Sequence, residues 1–193
     1  ICMTEKWLND EELTAKIAAL EENYKIVTEN VAQAAIKSGR KPEEITLLAA
    51  TKTVPVPVIN RAIELGITCI GENKVQELCE KYDQLHLEHC DCHFIGHLQT
   101  NKVKQLIGKV SMIHSVDSVK LAKEISKISQ QQHLVTDILV EINVGKEESK
   151  GGIYIEDTES FLGEISTLSG ISVKGLMTIP PADENITKTI HYF

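Results

Sequence analysis

The chain has 193 residues, 42% of them apolar and 25% charged, a balance that fits one globular core and is short for two. Its net charge of −8 argues against nucleic acid or an anionic membrane surface as the main partner, and no apolar run reaches the length of a membrane helix. The start carries no signal-peptide core, and five cysteines at irregular spacing suit reduced thiols in a cytoplasm better than a disulfide framework.

Leu13, Ile17, Leu20, Tyr24, Val27 and Val31 recur at alternating spacings of four and three, which predicts one long helix over about 5–39 with a single apolar stripe. The stripe is expected to pack on the domain, with a coiled-coil dimer as the lesser alternative and a monomer as the expected state. Strands and helices then alternate. Strands are expected at 46–52, 67–71, 93–96, 111–116, 137–144 and 173–179, each an apolar run closed by Gly, Pro, Asn or Asp. Helices are expected between them, over about 56–65, from Glu72 or Asn73 through 85, to about 107, from Asp117 or Ser118 to 131, and over 155–168. Such alternation predicts a parallel sheet, doubly wound or closed as a barrel. The Gly-x-Gly-x-x-Gly dinucleotide fingerprint is missing after the first strand, and so is a Walker phosphate loop.

The most informative residue is Lys52. It ends a run, Thr46 to Thr51, that reads as a strand buried on both faces, and a Pro55/Pro57 turn follows. An ammonium at such a strand end is expected to lose hydration, and a desolvated ammonium yields its proton and becomes a nucleophile. The plain alternative is a lysine that buries its stem and keeps its charge in water. The other strand ends carry polar groups as well: Glu72 and Asn73, His97 and Gln99, Ser115, Asn143, then Met177 and Thr178. Each has a structural reading as a turn or helix starter. Together they would gather at one mouth of a (β/α) barrel, around a nucleophilic amine. Neutral donors such as Asn73 and Asn143 would orient a carbonyl ligand bound there.

Two other clusters carry less. Cys79, His86, His89, Cys90, Cys92 and His93 crowd together, but Cys90-x-Cys92-His93 is a poor match to zinc spacing, and neighbours on a strand point to opposite faces. Lys102, Lys104 and Lys109 read as a solvated helix face.

Six motifs in order complete the picture: Leu47 to Thr53 around Lys52; Ile70-Gly71-Glu72-Asn73 with Gln76-Glu77; His93 to Lys102; His114 to Ser118; Asn143 to Gly152; and Lys174 to Pro180. Together they resemble the pyridoxal-phosphate homeostasis proteins, the YggS or PROSC family. The resemblance implies an α/β fold, a (β/α)8 TIM-type barrel like the N-terminal domain of alanine racemase, as one domain over 1–193. It implies that Lys52 holds pyridoxal 5′-phosphate as a Schiff base, with Asn73, His97, Ser115, Asn143 and Met177 at or near the pocket. It implies a carrier in vitamin B6 homeostasis without known turnover, with PLP-dependent apoenzymes as recipients. A small PLP-dependent racemase or lyase is the alternative, and docking of a partner by the first helix is a third reading. One departure stands out. The family's last two strands, with the phosphate-binding motifs, find no counterpart in this sequence, so the barrel is expected to break off after the sixth strand and to hold the cofactor more weakly.

Overall fold

The computed structural model describes residues 9–147, 150–181 and 186–192. Helix α1 (Asp10–Lys37) opens with a capping box: the Asn9 side chain accepts from the Glu12 amide and the Glu12 carboxylate accepts from the Asn9 amide. Residues 5–8 of the expected helix lie outside the described residues. Leu13, Ile17, Leu20, Tyr24 and Val31 face the domain, but Val27 is 42% exposed and Ala35 takes the most buried place. The stripe therefore drifts around the helix, as a 3.6-residue turn requires. Leu20 and Tyr24 rest on the core, and Glu21 accepts from Arg61 at 2.7 and 2.8 Å.

After α1 come β1 (Leu48–Ala50), α2 (Val56–Glu64), β2 (Cys69–Glu72), α3 (Val75–Lys81), β3 (Asp91–Phe94) and α4 (Val103–Leu106). Then follow β4 (Met112–Val116), α5 (Val119–Gln131), β5 (Thr136–Glu141), α6 (Thr158–Ile165), β6 (Ile171–Met177) and α7 (Ile186–His191). Local chemistry sets the joints. Pro55 and Pro57 start α2, where the missing N–H groups would go unpaired in any case. Gly66 ends it at φ +113°, a backbone angle that a side chain would strain. Of the two N-cap candidates for α5, Ser118 takes the role and accepts from the Leu121 amide.

All six strands are parallel and stand in the order β1-β2-β3-β4-β5-β6. Right-handed crossovers that always step the same way put every intervening helix on one face. The order never reverses, so the doubly wound alternative falls and the sheet is of the barrel type. Across the helix-covered face runs a row of registered residues: Ile70, Cys92, Phe94, Ile113 and Ile138. All are buried, four of them with no exposed surface. Each such side chain contributes about 1.5–3 kcal/mol relative to exposure. Helix residues Ile59, Leu78, Val103, Leu106, Leu121, Ile125 and Ile165 close over that row.

The expectation for β1 needs correction. It is three residues long, half-buried at Leu48 and Ala49 and exposed at Ala50. It pairs on one side only, so its apolar residues lack the second neighbour that would bury them. β6, at the other end of the sheet, is similar: Ile171 is buried, while Val173 and Leu176 are 38% and 57% exposed. Among the described residues no helix is long and apolar enough to cross a membrane.

Candidate cofactor site

The polar residues at the strand ends do different work from one another. Thr51 extends the ladder of β1 by donating its amide to Gly71 O at 2.9 Å. Lys52 follows, exposed and without a side-chain hydrogen bond or ion pair among the described residues. The expected desolvation of its amine is therefore absent, because an edge strand ends in water. What marks Lys52 instead is the fixity of its neighbours. Thr53 sits at φ +60°, a left-handed conformation that is uncommon for a β-branched residue and costs about 1–2 kcal/mol. The Thr53 amide donates to Glu77 Oε1 at 2.6 Å, and the Val54 amide closes the turn on Thr51 O at 3.0 Å.

Beneath this turn lies a charged network that the sequence reading missed. Lys81 Nζ donates to Thr51 O at 3.1 Å, Glu72 Oε1 at 3.1 Å and Glu77 Oε1 at 2.6 Å. The Thr51 hydroxyl donates to the same Glu72 oxygen at 2.8 Å. Glu72 is fully buried and Lys81 is 5% exposed. Burial alone would raise the Glu77 carboxyl, but the Lys81 ammonium and the Thr53 amide outweigh it and hold it below the usual carboxylate range. A signal was available in the sequence. Lys81 lies four residues after Glu77, on the face that α3 buries with Val75 and Leu78.

Asn73 follows β2. Its Oδ1 is buried and has no hydrogen-bond partner among the described residues, an acceptor left over for a ligand. Gly96 packs so tightly on the Asn73 backbone that a Cβ there would stand 2.0 Å from Asn73 O. Ser115, at 1% exposure, donates to Gly96 O at 2.6 Å. Its proton is committed to shaping this loop, so it is not a free donor. The same correction applies to Asn143, 6% exposed. Its amide donates to Glu147 O and Lys150 O at 2.9 and 3.4 Å, and its Oδ1 accepts from the Glu147 amide at 3.2 Å. Asn143 is spent on the loop after β5 and has no donor to spare for a ligand. His97 is 68% exposed, its Nδ1 3.8 Å from Asp117 Oδ2. Met177 is half-buried, and its carbonyl accepts from the Ile142 amide at 2.8 Å.

Asp117 and Glu141 flank Gly151: its Cβ position would lie 3.4 Å from one carboxylate and 3.5 Å from the other. Burial first, then the charge of Asp117, raises the Glu141 carboxyl. His93 and His114 face each other across β3 and β4, Nδ1 to Nε2 at 2.9 Å, so one ring donates to the other. Burial first, then His93, pushes His114 down to about 4. Cys69 Sγ lies 3.5 Å from His93 Nδ1. Among the described residues no three His, Cys, Asp or Glu side chains are arranged to hold a metal. The expected solvated lysine face holds for Lys104 only, since Lys109 is half-buried with its Nζ 4.2 Å from the Tyr82 ring centroid.

The family model of the alanine racemase N-terminal domain matches residues 16–191. A pyridoxal phosphate homeostasis protein of Aquifex aeolicus is 44% identical over 167 residues, covering 86% of this chain and 73% of that protein. A protein of unknown function from Bifidobacterium adolescentis superposes with a TM-score of 0.87 at 32% identity, over 96% of this chain and 78% of its own. PipY of Synechococcus elongatus, solved with PLP bound, superposes at 0.69 with 29% identity, over 82% of this chain and 74% of its own. The chain therefore belongs to the pyridoxal phosphate homeostasis protein family, built on the fold of the alanine racemase N-terminal domain.

Proposed function

We propose that this protein binds pyridoxal 5′-phosphate through Lys52 and serves vitamin B6 homeostasis as a carrier rather than a catalyst. The observation that carries the reading is Lys52 itself: an exposed, unpartnered amine at a strand's carboxyl end, flanked by two residues that are both pinned. Its relatives carry the homeostasis name, and PipY has been solved with PLP. The residues present fit the aldehyde end of that cofactor. Lys52 supplies the amine, and the buried Asn73 Oδ1, without a hydrogen-bond partner among the described residues, supplies an acceptor at the end of the neighbouring strand.

Bound there, the cofactor brings a reactive aldehyde and an electron-withdrawing ring. Lys52 would hold the group through that aldehyde as a Schiff base, with loss of water, which would keep the aldehyde from adventitious amines. Ser115 and Asn143 hold their loops in shape. The four described cysteines are free thiols, which suits the cytoplasm. We take the protein to act there as a monomer that releases the cofactor to PLP-dependent apoenzymes.

Titration with pyridoxal phosphate tests the reading. A visible band that saturates near one equivalent, and that is missing from Lys52→Ala, is the expected result; equal bands in both proteins would remove it.

The acidic pair gives a second reading some support. Racemisation and related chemistry need proton donors and acceptors beside the cofactor, and the raised Glu141 near Asp117 and His97 is such a group. Sustained conversion of an amino acid far above the rate of free cofactor would replace the carrier with a small PLP-dependent racemase or lyase.

A further inference from the structure

Lys81 uses all three of its N–H donors, and each goes to a different element. One reaches the end of β1 at Thr51 O, one reaches β2 at Glu72 Oε1, and one stays on α3 with Glu77 Oε1. Glu72 and Glu77 then return to the same turn, through the Thr51 hydroxyl and the Thr53 amide. The residues on either side of Lys52 are thus tied to one buried centre, while the exposed Lys52 side chain has no hydrogen bond or ion pair among the described residues. Glu72 Oε2 is buried and has no hydrogen-bond partner among the described residues.

Such a centre is a poor device for stability. Apolar residues of similar volume would serve as well or better, because desolvating the charges cancels most of their attraction. What apolar packing cannot do is hold a backbone in one direction. Thr53 is left-handed, and the bonds that reach its turn are short, directional and charge-assisted. The Lys52 backbone is set by these bonds to the residues on either side of it.

We propose that Lys81, with Glu72 and Glu77, is the positioning device for Lys52: a buried clamp that fixes the turn and so aims the amine. The proposal rests on the reading of Lys52 as the attachment site, and it adds three residues that set how readily that site loads. Lys81 is a positioning residue, not a catalytic one, since it reaches the ligand only through the turn.

Two routes break the clamp without leaving a buried charge alone. Glu77→Leu removes the anchor of Thr53 and leaves Lys81 paired with Glu72. Lys81→Met combined with Glu72→Gln removes the ion pair as a unit. For each, the fold is checked by circular dichroism and thermal melting, and loading of Lys52 is read by borohydride reduction after brief exposure to pyridoxal phosphate. Exchange of the Thr53 amide is followed in the cofactor-free protein. The clamp predicts folded variants that load Lys52 about tenfold less, the effect of losing one charged hydrogen bond. It predicts faster Thr53 exchange in Glu77→Leu. Glu77→Gln, which keeps an acceptor for Thr53, restores both readouts toward the wild type. Wild-type loading in either folded variant, or unchanged Thr53 exchange in Glu77→Leu, overturns the clamp. Failure of the wild-type protein to load Lys52 would instead remove the cofactor reading, and the exchange result alone would then judge the clamp.

Discussion

The middle of the sheet and its two edges are built on opposite terms. In β2 to β5 the helix-facing row is sealed: Ile70, Phe94, Ile113 and Ile138 have no exposed surface. At the edges the same kinds of residue stand in water, Ala50 on β1 and Leu176 on β6. The proposed reactive residue belongs to an edge. Stability is therefore concentrated where no chemistry is proposed, and the proposed chemistry sits where burial supplies little. A charged network between β1, β2 and α3 gives the edge what packing does not, a fixed backbone.

The comparison breaks first on core truncation. Phe94→Ala is expected to cost about 3–5 kcal/mol by denaturant unfolding, whereas Leu176→Ala, already exposed, stays within about 1 kcal/mol. Similar losses at both sites would mean that centre and edge do not differ. A smaller effect separates loop-builders from ligand-binders. Asn143→Ala strips the loop after β5 of its side-chain bonds and should lose about 1–3 kcal/mol, with faster amide exchange at Glu147. If the variant kept its stability and lost only cofactor affinity, Asn143 would be a direct ligand after all.

The smallest effect is read from pH. His114 stays neutral in the folded protein down to about 4, against an ordinary value of 6.5. The unfolded chain takes up a proton across that window while the folded chain does not. Stability therefore falls as pH drops from about 6.5 towards about 4 and then levels for this group. The depressed Glu77 acts in the same direction, losing its contribution as pH falls below the ordinary carboxylate value. His114→Phe should flatten the upper part of the slope; an unchanged slope would place the titration elsewhere.

Much of the fold was legible because its signals are local. The strands are apolar runs closed by Gly, Pro, Asn or Asp, and Ser118 caps a helix by the chemistry of its own side chain. Lys52 was legible as the residue to watch, but not for the right reason. Its sequence suggested burial, and burial depends on whether β1 has a neighbour on both sides, which local pattern does not encode. Ser115 and Asn143 were legible as strand-end residues and not as loop-builders, since their partners Gly96 and Lys150 are set by tertiary packing. Lys81 was legible only in principle, as a charge on an apolar helix face. The six-strand order settled what alternation left open, barrel against doubly wound sheet.

The most direct measurement is a map of where the cofactor attaches. The protein is mixed with pyridoxal phosphate, reduced with borohydride, digested and read by mass spectrometry, beside Lys52→Ala. The account predicts one adduct, confined to Lys52 and lost in the variant. Label spread over surface lysines, and unchanged in Lys52→Ala, would contradict it.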